Sequence, residues 1–123
     1  MGINYDPSHL IRMNIDPLRF LGEFGDRVYH VHGKDTAILT ENLYEFGSEQ
    51  PPTFAKPAPY SGMHWRYTIP GHGVTRWVEV FRQLESRGYN GCVSIELEDA
   101  NFYRQAEAEQ AGILAGASFL TGC

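Results

Sequence analysis

With 123 residues, 42% of them hydrophobic and 20% charged, the chain has the composition of one soluble globular domain and can build one core. Its formal charge of -5, with ten basic residues scattered along the chain, excludes the phosphate backbone of nucleic acid as the main partner and favours a small molecule. No apolar run approaches the ~18 residues a membrane helix needs, and no signal-peptide pattern opens the sequence, so a cytoplasmic protein without a membrane partner is expected.

Residues 2–6 (GINYD) read as the first strand, and the following PSHLIRMNI is too irregular to type. A helix then begins clearly: Asp16 can cap it, Pro17 suits its first position, and Leu18, Leu21 and Phe24 recur at helical spacing until Gly25. VYHVH, residues 28–32, reads as the second strand. Residues 41–73 are proline-rich without a sustained period and predict a long loop, of the kind that serves as a lid. Val74, Trp77, Val78, Phe81 and Leu84 predict an amphipathic helix, CVSIELE the third strand, and residues 101–120 the closing helix. Of the two cysteines, Cys92 in its apolar run is expected to be buried and the terminal Cys123 exposed, with neither metal nor disulfide spacing.

Strands separated by helices lie parallel, so their C-terminal ends gather on one side. Alternation puts Ile3, Tyr5, Tyr29, Val31, Val93, Ile95 and Leu97 on an apolar face toward the helices. The opposite face carries Gly2, Asn4 and Asp6, then His30, His32 and Lys34, then Ser94, Glu96 and Glu98. Strands of an open doubly wound sheet are apolar on both faces, and these are not. One polar face, more ionisable toward the C-terminal ends, predicts the mouth of a parallel (β/α) barrel.

Asp6 with His9, His32 with Lys34 and Asp35, and Glu96 with Glu98 and Asp99 bring oxygen and imidazole donors to that end. Such donors suit Mn, Mg, Co or Zn, and no thiolate lies in these motifs. Taken singly, Asp6 reads better as a helix-capping or turn residue, His32 as a hydrogen-bonded core histidine and Glu96 as one charge in an acidic surface run. Their shared parity and shared sheet end favour one common site.

The stretches NYDPSHL, VHGKD, YTIPGHG with Trp77 four residues on, and GYNGCVSIELED resemble the last three βα units of the xylose isomerase-like sugar isomerase and epimerase superfamily. The resemblance implies an α/β fold: the C-terminal portion, about three βα units, of a (β/α)8 TIM barrel. It implies one partial domain over residues 1–123, with the 41–73 loop at the catalytic face. It also implies one divalent metal ion (Mn, Mg, Co or Zn) held by Asp6, His32 and Glu96, with a further glutamate ligand from an earlier strand. The substrate is then a sugar or sugar phosphate, and Glu96 serves as both ligand and acid/base. His9 contacts substrate hydroxyls or a group behind the ligands.

His30, one layer deeper than His32, is assigned to the barrel interior. Lys34 either steadies charge on a substrate oxygen or pairs with Asp35 or another carboxylate. Glu98 and Asp99 are read as solvated or loop-anchoring charges. In the loop, Trp65, Arg66 and His72 are candidate substrate contacts beside a helix N-terminus that favours anions, with turn-making and rim packing as the plain alternative.

The expected activity is isomerisation or epimerisation of a sugar, with a proton removed and returned at the carbon next to the carbonyl. A full barrel needs eight strands and about 250 residues, whereas three strands are read in this chain. The expectation is therefore a chain inactive alone, partnered by a missing N-terminal barrel half or by copies of itself. The competing readings are a non-catalytic sugar-binding or interaction remnant, and an apurinic-site endonuclease-like protein. The second needs an Asp-x-His pair and a basic surface, and the sequence has neither.

Overall fold

A computed structural model describes residues 1–49 and 56–123. In chain order the elements are β1 (Ile3–Tyr5), α1 (Pro7–Arg12), α2 (Pro17–Phe24), a 3-10 turn (Gly25–Arg27), β2 (Val28–Gly33) and β3 (Asp35–Ile38). They continue with α3 (Thr40–Phe46), β4 (Trp65–Thr68), α4 (Trp77–Ser86), β5 (Val93–Ile95) and α5 (Ala106–Thr121).

Two aspartate-proline pairs start the first two helices. Asp16 Oδ1 accepts from the amides of Leu18 and Arg19 at 2.9 and 3.2 Å, and Pro17 takes the first helical position, as expected. Asp6 does the same for α1, where Oδ1 accepts from the Ser8 amide at 3.0 Å and its hydroxyl at 2.6 Å. The segment that could not be typed from its pattern is thus a helix, six residues long and ended by Asn14 in the left-handed region at φ 60°.

β1, β2 and β5 form a parallel sheet in that order. The order follows the chain without reversal, as in successive units of a barrel rather than a doubly wound sheet. The fold is α/β, a part of a TIM barrel. Its core is Tyr5, Leu21, Val28, Val31, Trp77, Val80 and Leu84, where α2 and α4 pack on the sheet. Leu21 is completely buried, so Leu21→Ala should cost about 2–5 kcal/mol, read as a lowered midpoint in urea denaturation. A loss below about 1 kcal/mol would contradict this packing.

Four expectations need correction. Tyr29 does not face the helices: it is 73% exposed and lies across Gly2, where a Cβ would sit 1.8 Å from its ring. The register explains this, because Ile3 pairs with Val28 but Asn4 with His30; the extra residue is a bulge that turns Tyr29 outward. The segment 41–73 is not simply a loop, since it contains most of α3 and all of β4, which pairs antiparallel with β3. Residues 50–55 of that segment lie outside the described residues. The helix expected from Val74 begins at Trp77, because Val74 donates instead to the Thr36 carbonyl at 2.9 Å. Cys92 is exposed, as is Cys123.

The closing helix starts at Ala106 and approaches through its glycines: a Cβ on Gly112 would meet Phe102 at 2.8 Å. No helix among the described residues is long and apolar enough to cross a membrane.

Candidate metal centre

Three parallel strand ends deliver the polar face to one place. Asp6 follows β1, His32 lies near the end of β2 opposite Ser94, and Glu96 follows β5 with its amide continuing the ladder to the Gly33 carbonyl. The α1 cap uses one oxygen of Asp6 and turns the other inward. That oxygen, Oδ2, is buried and has no hydrogen-bond partner among the described residues. Around it stand Lys34 Nζ at 3.4 Å, His9 Nε2 at 3.5 Å and His32 Nδ1 at 3.6 Å. His32 Nδ1 also lies 3.2 Å from Glu96 Oε2.

Lys34 is only 1% exposed, although it carries a charge. Its ammonium donates to Glu96 at 2.6 Å and to Glu98 at 2.9 Å, with the Tyr67 ring centre 4.5 Å away. Its pairing is therefore with those glutamates and not with Asp35, and Glu98 is not simply solvated. Burial alone would pull the Lys34 ammonium down. The hydrogen bonds to Glu96 and Glu98 and the charge of Asp6 outweigh it and push the group above its ordinary range. Burial would likewise raise Glu96, but the Lys34 hydrogen bond and the charges of Lys34, His32 and His9 hold it below the ordinary carboxylate range.

Two residues without an expected role hold the histidines. The Tyr67 hydroxyl lies 2.7 Å from His9 Nδ1, and the Asn4 amide nitrogen lies 3.3 Å from His32 Nε2. Burial keeps the Tyr67 hydroxyl above its ordinary range, against Arg12 and Lys34. Asn4 stands on the polar face by parity. Tyr67 shows itself only through the Trp-x-Tyr alternation of a four-residue strand. His30 packs edge-on against His32, ring centres 5.4 Å apart.

The loop candidates separate. Trp65 stands beside Tyr67, ring centres 4.8 Å apart, with the Arg12 guanidinium over it. Arg66 points to the other face of β4 and pairs with Asp99 at 3.3 Å. His72 is exposed near Phe102. Neither Arg66 nor His72 joins the cluster of Asp6, His9, His32, Lys34, Glu96 and Glu98. The amides ahead of α4 are also not free for an external anion. Asp35 accepts from Gly71 N, Thr75 N and the Trp77 indole, so an internal carboxylate occupies that place. Asp99 is a loop anchor, accepting from Thr68 Oγ1, Ile69 N and Asn101 N.

Asp6, His9 and Glu96 offer donor atoms within 4.8 Å of one another, a group that could hold a metal ion. His32 is not in that group, but its Nδ1 lies 3.6 Å from Asp6 Oδ2 and 3.2 Å from Glu96 Oε2. Oxygen and imidazole donors match hard and borderline divalent ions, and the unpartnered Asp6 oxygen is an acceptor that a cation would satisfy.

A family model described as "Xylose isomerase-like TIM barrel" matches residues 1–123. The "Uncharacterized protein YfiH" of Bacillus subtilis is 35% identical over 108 residues, covering 86% of this chain and 34% of the relative. An "Inosose dehydratase" of Geobacillus thermodenitrificans is 34% identical over 94 residues, covering 76% of this chain and 29% of the relative. A crystal structure of a xylose isomerase domain protein from Planctomyces limnophilus matches with a TM-score of 0.65 at 22% identity, over 98% of this chain and 36% of that one. The chain thus spans about a third of the length of the curated relatives it matches.

Proposed function

The chain belongs to the xylose isomerase-like TIM barrel family, and from that premise we propose that it contributes the Asp6–His32–Glu96 side of a divalent-metal centre acting on a sugar or sugar phosphate. The observation that carries the proposal is the buried Asp6 Oδ2, without a hydrogen bond among the described residues, facing His32 and the Glu96 carboxylate across three strand ends. His32 is preferred over His9 as ligand. His9 Nε2 shares its place with the Lys34 ammonium at 3.4 Å, whereas His32, held through Nε2 by Asn4 at 3.3 Å, turns Nδ1 to the carboxylates of Asp6 and Glu96 at 3.6 and 3.2 Å.

A divalent ion held there would supply Lewis acidity beside a sugar carbonyl. Glu96, kept ionised by its cationic neighbours, removes the proton from the carbon next to that carbonyl and returns it. Lys34 faces the charge that develops on the oxygen. His9, held by Tyr67, contacts a substrate hydroxyl. The reaction proposed is isomerisation or epimerisation, with the rest of the barrel, or a second copy, supplying the fourth ligand. The chain alone is proposed to be inactive.

A second outcome of the same first step is favoured by the inosose dehydratase relatives. After Glu96 takes the proton, the hydroxyl on the next carbon departs with that proton, handed on by the Glu96 carboxyl, as water, leaving an unsaturated ketone. The chain, joined to the remaining barrel units of that relative, should exchange solvent deuterium into the carbon next to the carbonyl of a ketose or inosose when loaded with Mn. Glu96→Gln should abolish the exchange. Product analysis separates the outcomes, since an epimer keeps the mass of the substrate and the unsaturated ketone is lighter by one water. A barrel that takes up Mn and exchanges no deuterium would refute the proposal.

A further inference from the structure

The best-placed cation in the cluster is the protein's own. Lys34 Nζ lies 2.6 Å from Glu96 Oε2, 3.4 Å from Asp6 Oδ2 and 3.4 Å from His9 Nε2, the three residues whose donor atoms group as a metal site. Glu98 holds the same ammonium from one side at 2.9 Å, and the Tyr67 ring lies 4.5 Å from it. Three carboxylates converge on a site with a single buried ammonium, and without that charge they would repel one another.

We propose that Lys34 is a built-in counter-cation that holds the Asp6 and Glu96 carboxylates together before a divalent ion arrives, and yields Glu96 to the ion by withdrawing onto Glu98. The inference rests on the metal reading of this site and deepens it. Two consequences follow from electrostatics. Metal and ammonium compete for Glu96, so removing the ammonium should tighten metal binding. The metal-free protein also leans on Lys34, so its loss should lower stability in a way that metal restores.

The test is a calorimetric titration of the full chain with Mn alone, paired with thermal unfolding with and without Mn. Lys34→Met should bind Mn about tenfold more tightly than the parent and show a larger Mn-induced rise in Tm. Glu98→Gln keeps the lysine and takes away its refuge, so it should bind Mn about tenfold more weakly, and it remains informative if K34M does not fold. The double variant should behave as K34M does. Asp6→Asn serves as the control for the metal site itself. Mn uptake that D6N abolishes but that K34M and E98Q leave unchanged would overturn the counter-cation role alone. No uptake by the parent chain, either alone or joined to the remaining barrel units, would overturn the metal reading and this inference together.

Discussion

Asp6→Asn should lower the affinity for Mn by about 100-fold or more while leaving the fold nearly unchanged, because the two oxygens of Asp6 have separate tasks. Oδ1 caps α1 through the Ser8 amide and hydroxyl, and an asparagine side-chain oxygen can accept the same bonds. Oδ2 has no hydrogen bond to lose among the described residues, so replacing it with an amide nitrogen removes its acceptor character and its charge beside Lys34, whose ammonium keeps its hydrogen bonds to Glu96 and Glu98. Asparagine also turns N–H donors toward Lys34, His9 and His32, which lie 3.4, 3.5 and 3.6 Å away. Calorimetry with Mn reads the affinity, and circular dichroism with urea denaturation reads the fold, where a change within about 1 kcal/mol is expected. A variant that binds Mn as the parent does would remove Asp6 from the ligand set.

Asp35→Ala should be the most destabilising single change in the hairpin region, costing about 3–5 kcal/mol. Asp35 is completely buried and accepts five hydrogen bonds. Oδ1 takes Thr36 N at 2.8 Å, Thr75 N at 3.0 Å and Thr75 Oγ1 at 2.6 Å; Oδ2 takes Gly71 N at 3.3 Å and the Trp77 indole at 3.1 Å. Gly73 passes so close that a Cβ there would meet Oδ1 at 2.3 Å. Alanine would strand the buried Thr36 amide and Trp77 indole away from water and loosen the part-buried Gly71 and Thr75 donors, and a typical domain has only about 5–15 kcal/mol in total to lose. Asp35→Asn is a graded control. It can keep the Oδ1 bonds but sets a donor against Gly71 N and the indole, so it should cost less than alanine and more than a surface change. Urea unfolding of both variants is the measurement, and an alanine variant within about 1 kcal/mol of the parent would contradict this role.

The same aspartate shows how much of the structure could be read in advance. Alternation along three short strands was enough to put Asn4, Asp6, His32, Lys34, Glu96 and Glu98 on one face, because parity is a local property of extended backbone. The Asp16–Pro17 start of α2 was legible for the same reason, since both its signals lie within three residues. The identical Asp6–Pro7 signal marks Asp6 as a capping candidate but leaves the segment after it untyped, because α1 is too short to show a period. Tyr29 could not be placed correctly, because the bulge that turns it outward arises in the pairing with β1. The β3–β4 pair is hidden because each strand has only four residues and β4 lies in a proline-rich stretch, and with it Tyr67 and the occupation of the α4 entrance by Asp35. Lys34 bonds to carboxylates 62 and 64 positions away, and no local pattern announces that choice.

The most direct test of the account is anomalous diffraction from crystals of the chain grown with Mn. The account predicts one strong Mn peak bonded to Asp6 Oδ2, His32 Nδ1 and Glu96, with the Lys34 ammonium drawn toward Glu98. A crystal with no peak at these strand ends, or with Mn bound only elsewhere, would contradict it.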